Sequence, residues 1–287
     1  MDKAKRNRFL VRWLCVTALL LAASLLVGPA GGAEETVQET MRDAVLHETN
    51  QISLFGLGPV NPGLVSGFVV TAVLLLAAAA IRIFFIPRFQ YVPGRFQLLL
   101  EQGVGLFSGM AKSYSPWRCR FLGPYIFAAG VYIFFGTLFE LFGFQAVATS
   151  GHSIALPAPL SDINGAIMLG VLSYLVILSG AIAGNGLRGI PKALTEISLL
   201  LSMSFRLFGA LLSGLLVTEL VYYYLTLSFV LPVAVAVAFT LLHAVIQAYV
   251  LTLLTALFYG EMSEPIKPKE KKETPSRRRT RLAQGAR

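Results

Sequence analysis

Residues 197–260 read ISLLLSMSFRLFGALLSGLLVTELVYYYLTLSFVLPVAVAVAFTLLHAVIQAYVLTLLTALFYG, and they contain two formal charges, Arg206 and Glu219. A guanidinium group does not lose its proton in a protein, so Arg206 stays cationic wherever the chain places it. Burying it in a bilayer costs about 2.5–3.5 kcal/mol on insertion scales. Such a residue usually faces a partner, a water-filled cavity or an ion path, which makes Arg206 the first candidate functional residue.

The rest of the chain has the same apolar character. Of its 287 residues, 55% are hydrophobic and 14% are charged, against about 25% charged residues in a soluble domain. Several apolar runs reach the length of about 20 residues that spans a bilayer as a helix. The composition therefore predicts an all-α polytopic membrane protein.

We predict five mature spans, of which the last two form a long antiparallel hairpin. The predicted spans are 64–86, 121–144, 163–182, a run from Pro191 to about Leu225, and 233–259. The fourth run is too long to stand upright in about 30 Å of hydrocarbon, so we expect it to be strongly tilted or to lie nearly in the membrane plane. The stretch 94–112 is interrupted by glycines and predicts a helix that lies at the membrane interface.

Charge asymmetry predicts the orientation, because basic residues on short loops stay on the cytoplasmic side. Residues 1–33 are typical of a signal peptide, or of an uncleaved signal anchor, and 34–62 form an acidic segment that we place outside. The membrane domain is 63–260. The tail, 261–287, holds nine basic and four acidic residues, and we place it in the cytoplasm as a solvated segment or one that contacts anionic lipid.

The last two spans bring a few polar residues to similar depths. Arg206 lies about as far before the turn near Leu227 as Gln247 lies after it, so we expect the two side chains to meet. His243 is one helical turn from Gln247. The residues that follow Arg206 on its helix are small and leave room for a partner helix to approach, namely Gly209, Ser213 and Gly214.

Two segments of this hairpin, 204–209 (SFRLFG) and 246–260 (IQAYVLTLLTALFYG), resemble subunit a of the F-type ATP synthase, called subunit 6 in mitochondria. Upstream segments with the same resemblance follow in the family's order. They are 93–97 (PGRFQ) with Glu101, and 159–164 (PLSDIN). The resemblance covers roughly residues 60–260.

The resemblance implies a non-catalytic stator subunit of a rotary ATP synthase in a bacterial inner membrane. Arg206 would face the rotating ring of c subunits, Gln247 would pack near it, and proton or sodium flow would drive the ring. The implied partners are the c-ring, b-type peripheral stalk subunits and the lipid bilayer. Neither a cofactor nor a metal ion is implied, and nucleic acid is not an expected partner.

Some polar positions that line the outer ion path in that family are occupied here by Ala210, Leu215 and Thr240. We therefore expect replacements for them elsewhere in the outer half of the membrane domain. The candidates are Glu219, His243 and Glu140. Gln247 and His243 also fit a simpler role as hydrogen-bonded packing residues.

Two other functions remain compatible with the residues. A stand-alone secondary transporter would use Arg206 to bind an anionic substrate, although internal inverted repeats typical of that class are not evident. An intramembrane enzyme would use His243 and Glu219. A phosphate-binding loop with the Walker pattern is absent from the sequence, so nucleotide would have to be handled by other subunits.

Overall fold

The computed structural model describes residues 15–16, 52–53, 59–116, 119–147, 153–224 and 231–265. Within these ranges, five helices are long and apolar enough to cross a membrane, which confirms the all-α polytopic fold. Most of the predicted signal segment 1–33, most of the segment 34–62, the turn near Leu227 and the tail beyond residue 265 lie outside the described residues.

Seven α-helices follow one another in the described part of the chain: α1 (Pro62–Ala80), α2 (Arg95–Tyr114), α3 (Cys119–Leu138), α4 (Ile163–Asn185), α5 (Gly189–Leu194), α6 (Ile197–Tyr224) and α7 (Leu231–Ser263). A π turn and three 3-10 turns extend or connect them: Ile81–Phe85, Ile86–Arg88, Phe139–Phe142 and Gly186–Arg188. Two short antiparallel strand pairs are also present among the described residues: β1 (Ile52–Ser53) with β2 (Pro59–Val60), and β3 (Gln145–Val147) with β4 (Ser153–Ala155).

Local sequence explains where the helices begin and end. The Asn61 side chain caps α1 by accepting from Gly63 N at 2.9 Å, and Pro62 occupies the first helical position, where its missing N–H is not needed. At the other end of this span, Pro87 cannot donate to the helical ladder. The helix widens there into the π turn, and Ile86 N donates to Ile81 O. Gly186 ends α4 with a φ of 61°, which glycine adopts without strain.

Helix α7 is the central element, because it packs against α2, α3, α4 and α6. The core between these helices consists of fully buried aliphatic side chains, including Leu122, Ile126, Ile133, Ile177, Met203 and Leu207. By contrast, only 6% of the apolar window of the first span is buried. The first span is therefore a peripheral helix within the described chain.

Two features of the connections differ from the sequence prediction. The chain after α3 contains the antiparallel strand pair β3–β4, which the sequence did not predict. The predicted continuous run from Pro191 is interrupted by a two-residue turn at Thr195 and Glu196. Glu196 N donates to Ala193 O at 3.1 Å, and Leu199 N donates to Glu196 O at 2.9 Å. These backbone i→i−3 bonds stand in place of the α-helical i→i−4 pattern and separate the short α5 from α6.

The last turns of α7 are held tightly at the end opposite the α6–α7 connection. Asn185 Nδ2 donates to Met262 O at 3.2 Å and to Glu264 O at 2.9 Å, and Lys192 Nζ donates to Glu261 O at 2.6 Å. Gly260 lies directly against the Tyr114 carbonyl oxygen. These contacts fix the position of α7 along its axis, and with it the position of Gln247.

Replacement of Gly260 by alanine is expected to destabilise the membrane domain by about 1–3 kcal/mol, because the new methyl group would overlap backbone that cannot rotate away. Gly105→Ala is the matched control. It is also a helical glycine, but no atom lies within 4 Å of its added Cβ, so alanine there should be neutral or slightly stabilising. The measurement is the thermal unfolding midpoint of the purified protein. Equal midpoints for the two variants would contradict the close contact.

Candidate functional site

Helix α6 has a core face and an exposed face. On the core face, Leu207 is fully buried and Ser204 packs directly against Gly170 of α4. The opposite face carries residues three or four positions apart, which are neighbours on a helix. This exposed row, called the Arg206 stripe below, consists of Ser198, Ser202, Arg206, Gly209 and Ser213. Apart from the arginine, its members are all small.

Arg206 lies on the exposed face, and within the described residues its guanidinium group has no hydrogen-bond or ion-pair partner. A Cβ atom added at Gly209 would have no atom within 4 Å. The Ser213 hydroxyl donates to Ala210 O of its own helix at 2.8 Å, so its hydrogen does not project from the surface. The stripe is therefore a smooth surface with one projecting cation.

Gln247 occupies the opposite kind of environment on α7. Its side chain is 7% exposed, and its carbonyl oxygen, Oε1, is buried without a hydrogen-bond partner among the described residues. Leaving a buried acceptor unpaired costs about 1–3 kcal/mol. This oxygen therefore needs a hydrogen-bond donor, and none of the described side chains supplies one.

The relative register of α6 and α7 follows from one close approach. A Cβ atom at Gly214 would lie 3.9 Å from Nδ1 of His243, which places these two residues at the same level. Counting four residues back along α6 and four forward along α7 places Ala210 level with Gln247. Arg206 is thus about one helical turn, ~5.4 Å, from the level of Gln247.

His243 is half-buried, and its Nδ1 lies 2.9 Å from Phe239 O, one turn earlier on α7. Because a carbonyl oxygen only accepts, Nδ1 carries the hydrogen in this bond. In the neutral ring, Nε2 is then left as an acceptor. The ring also stacks on Phe239 with 5.9 Å between centroids, which limits its rotation.

Glu140 lies in the 3-10 turn Phe139–Phe142 that ends α3, and this turn contacts α7. A Cβ atom at Gly130 of α3 would be 3.2 Å from Cγ2 of Thr252. Counting ten residues onward along α3 and ten back along α7 places the half-buried Glu140 at about the level of His243. Two of the three outer candidates are therefore at one depth, about one turn beyond Gln247.

Glu219 belongs to α6, but its side chain is outside the described part of the structure. Its backbone position is 13 residues beyond Arg206, or about 20 Å along the helix. It therefore lies farthest from Arg206 among the outer candidates. The order of depths, measured outward from Arg206, is therefore Gln247, then His243 and Glu140 together, and finally Glu219.

Ser198 and Ser202 were not among the predicted site residues. They precede Arg206 by eight and four positions, so the helical i, i+4 spacing was the signal that could have identified them. Within the described residues, no group of three or more His, Cys, Asp or Glu side chains could hold a metal ion.

The site thus combines an exposed arginine, a smooth helix surface and a series of polar residues at successive depths of a five-helix membrane fold. A protein-family comparison agrees with this arrangement. The family model described as ATP synthase A chain matches residues 65–260, which is more than half of the sequence. The chain therefore belongs to the ATP synthase A chain family.

Proposed function

We propose that this protein is the stator subunit that carries ions to and from the rotor ring of a rotary ATP synthase, with the Arg206 stripe facing the ring. The observation that supports this most strongly is the exposed position of Arg206, which has no partner within the described residues. An arginine at membrane depth needs a partner or water. A ring whose subunits each carry a carboxylate would supply that partner in turn.

The small residues of the stripe support a moving partner. Small side chains let two helices approach closely, and a smooth surface offers few interlocking contacts that would hold one position. Because Gly209 has open space in front of it, the partner surface is free to occupy this volume. Arg206 would then be the one charged contact that each passing subunit meets.

The chemistry follows from the fixed cation. A nearby positive charge lowers the pKa of a carboxyl group and so favours release of a bound proton; it also competes with a bound sodium ion. An approaching ring carboxylate would therefore lose its ion at Arg206, and the same charge would repel ions that attempt to pass directly between the two aqueous paths. Each elementary charge that moves across 100 mV makes about 2.3 kcal/mol available for rotation.

We assign the outer path to Gln247, then His243 and Glu140 at one common depth, and finally Glu219, in order of increasing distance from the level of Arg206. The free Nε2 acceptor of His243 and the carboxylate of Glu140 suit transfer of a cation from one group to the next. Gln247 would accept a hydrogen bond from Arg206, about one turn away. This bond would satisfy the buried Oε1 atom.

We assign the inner path to the other end of the stripe. Ser202 and Ser198 continue from Arg206 toward the half-buried Glu196 in the turn before α6. Hydroxyl groups at one-turn spacing can support a file of water molecules along a helix surface.

The remaining assignments rest on charge and on the family. We place the start of α1 outside and the basic tail, 261–287, in the cytoplasm of a bacterium. The segment 1–33 would direct insertion, and 34–62 would remain outside. The c-ring and b-type stalk subunits are the proposed partners, and ATP chemistry would occur on other subunits.

The outer path is tested by ATP-driven ion uptake in proteoliposomes that contain the complete complex, with proton and sodium uptake measured separately. His243→Ala and Glu140→Gln are each expected to lower the initial rate about tenfold or more, because loss of a proton-transfer group typically costs about 10²–10⁴-fold. The ion whose uptake falls is the coupling ion.

The matched control for Glu140→Gln is Glu101→Gln, which neutralises an exposed carboxylate on α2 that is hydrogen-bonded to Gln97. This control should pump at the wild-type rate. Wild-type uptake in both outer-path variants would exclude the proposed outer path. Absence of proton and sodium uptake in the wild-type complex would exclude the function itself.

A further inference from the structure

A cleft of about 400 Å³ opens between the first halves of α1 and α4. Its walls are mostly apolar and include Leu64, Phe68, Met168 and Leu172, with Tyr132 of α3 at the back. One end of the cleft is different, because Asp162 lies there at the level where both helices begin. The cleft is therefore amphipathic along its length.

Asp162 is 8% exposed and carries an unused acceptor. Its Oδ1 atom caps α4 by accepting from Asn164 N at 3.2 Å and from Asn164 Nδ2 at 3.3 Å. Its Oδ2 atom accepts no hydrogen bond from the described residues and is not fully enclosed, so it is open to the cleft. A carboxylate oxygen in this mostly apolar setting favours a donor or a cation as its partner. The capping role accounts for one oxygen and leaves the other available to a ligand in the cleft.

We propose that this cleft binds an amine-bearing phospholipid, with the ammonium group on Asp162 Oδ2 and one acyl chain along the apolar wall. Charge complementarity selects the head group, because the cleft presents a carboxylate and the described lining holds no Lys or Arg. A primary ammonium group has N–H donors that a carboxylate accepts strongly. A quaternary ammonium group has none.

The dimensions favour a lipid over a partner helix. The lining residues run from Gly63 to Thr71 on α1 and from Asp162 to Leu172 on α4, or about 12–15 Å of helix. This is the depth of one leaflet, about half of the ~30 Å hydrocarbon core. A transmembrane partner helix would require a groove along the full depth.

The test separates the charge of Asp162 from its capping role. Asparagine caps helices as well as aspartate does, so Asp162→Asn should keep α4 intact while removing the negative charge. The complete purified complex would be delipidated and titrated with phosphatidylethanolamine, phosphatidylcholine or phosphatidylglycerol. Retained lipid would be counted by mass spectrometry. We expect the wild type to prefer phosphatidylethanolamine, and its apparent affinity to fall about tenfold in Asp162→Asn, which corresponds to ~1.4 kcal/mol.

A second variant tests the apolar wall. Gly67 lines the cleft, and its added Cβ would lie at ordinary contact distance from the Tyr132 hydroxyl, so Gly67→Leu should fill the space and reduce retention of all three lipids. A photo-crosslinking residue at Met168 would identify the native occupant directly. Unchanged phosphatidylethanolamine binding in Asp162→Asn, equal retention of phosphatidylglycerol, or a crosslink to a polypeptide instead of a lipid would each overturn the proposal.

Discussion

Replacement of Arg206 by alanine is expected to lower ATP-driven ion uptake by about 100-fold or more, with the coupling ion identified by separate proton and sodium measurements. Loss of one preorganised charged or hydrogen-bonding group at a reacting centre typically costs 10²–10³-fold. Here the same group would have two tasks, namely release of the ion from the ring carboxylate and separation of the two aqueous paths. The variant should therefore also show a higher passive ion conductance, because the charge that separates the two paths is gone.

The position of Arg206 makes this variant interpretable. Its side chain is exposed and makes no hydrogen bond or ion pair with the described residues, so truncation breaks no contact of the described fold and removes only the hydrogen bond proposed to Gln247. Removing a cation from a membrane helix also lowers the cost of insertion. We therefore expect wild-type levels of the assembled complex, measured by native electrophoresis and by ATP hydrolysis.

Two controls test whether the effect is specific to Arg206 or follows from any change to an exposed side chain or any loss of an arginine. Phe205→Leu changes the neighbouring, 61% exposed side chain on the same helix but leaves the stripe unaltered. Arg95→Ala removes an exposed arginine at the start of α2. Both variants should pump ions normally. Normal pumping by Arg206→Ala in a fully assembled complex would show that the arginine takes no part in ion transfer.

The sequence predicted the number of spans because a run of about 20 apolar residues has few alternatives to crossing the bilayer. It singled out Gly209, Ser213 and Gly214 beside Arg206, but it did not show that Gly214 lies against His243 of α7 or that the exposed row extends to Ser198 and Ser202. In a membrane, side chains that face lipid and side chains that face other helices are both apolar, so hydrophobic periodicity carries little information. The exposed position of Ser198 and Ser202 appears only when α4 is seen packed against the other face, through the contact of Gly170 with Ser204.

The relative depth of Arg206 and Gln247 on the last two helices was predicted only approximately. Counting from an assumed turn near Leu227 placed Arg206 and Gln247 at one depth, whereas the approach of Gly214 to His243 separates them by about one helical turn. The segment 159–164 was likewise noticed only for its resemblance, and neither the helix cap that Asp162 Oδ1 forms nor the Oδ2 atom beside it was predicted. The relative depth and the surroundings of Oδ2 depend on contacts between helices that are distant in sequence, which local patterns do not encode.

Introduction of a phenylalanine at Gly209 is expected to block the rotor surface without disturbing the fold of the chain. Nothing lies within 4 Å of an added Cβ, and glycine is a poorer helix former than phenylalanine, so the isolated subunit should insert and fold normally. The new ring would project into the space that the proposed partner occupies. We expect either loss of the c-ring from the purified complex or at least a tenfold fall in ion uptake and in coupled ATP hydrolysis.

A graded series tests whether volume is the cause. Gly209→Ala adds one methyl group and should have a small effect, Gly209→Val an intermediate one, and Gly209→Phe the largest. Gly105→Phe on α2 is the matched control, because its added Cβ also meets no atom within 4 Å. It lies away from the stripe and should assemble and pump normally. Wild-type pumping by Gly209→Phe would mean that the Arg206 stripe does not face the ring, since a close-packed partner could not pass an aromatic side chain one turn from the essential cation.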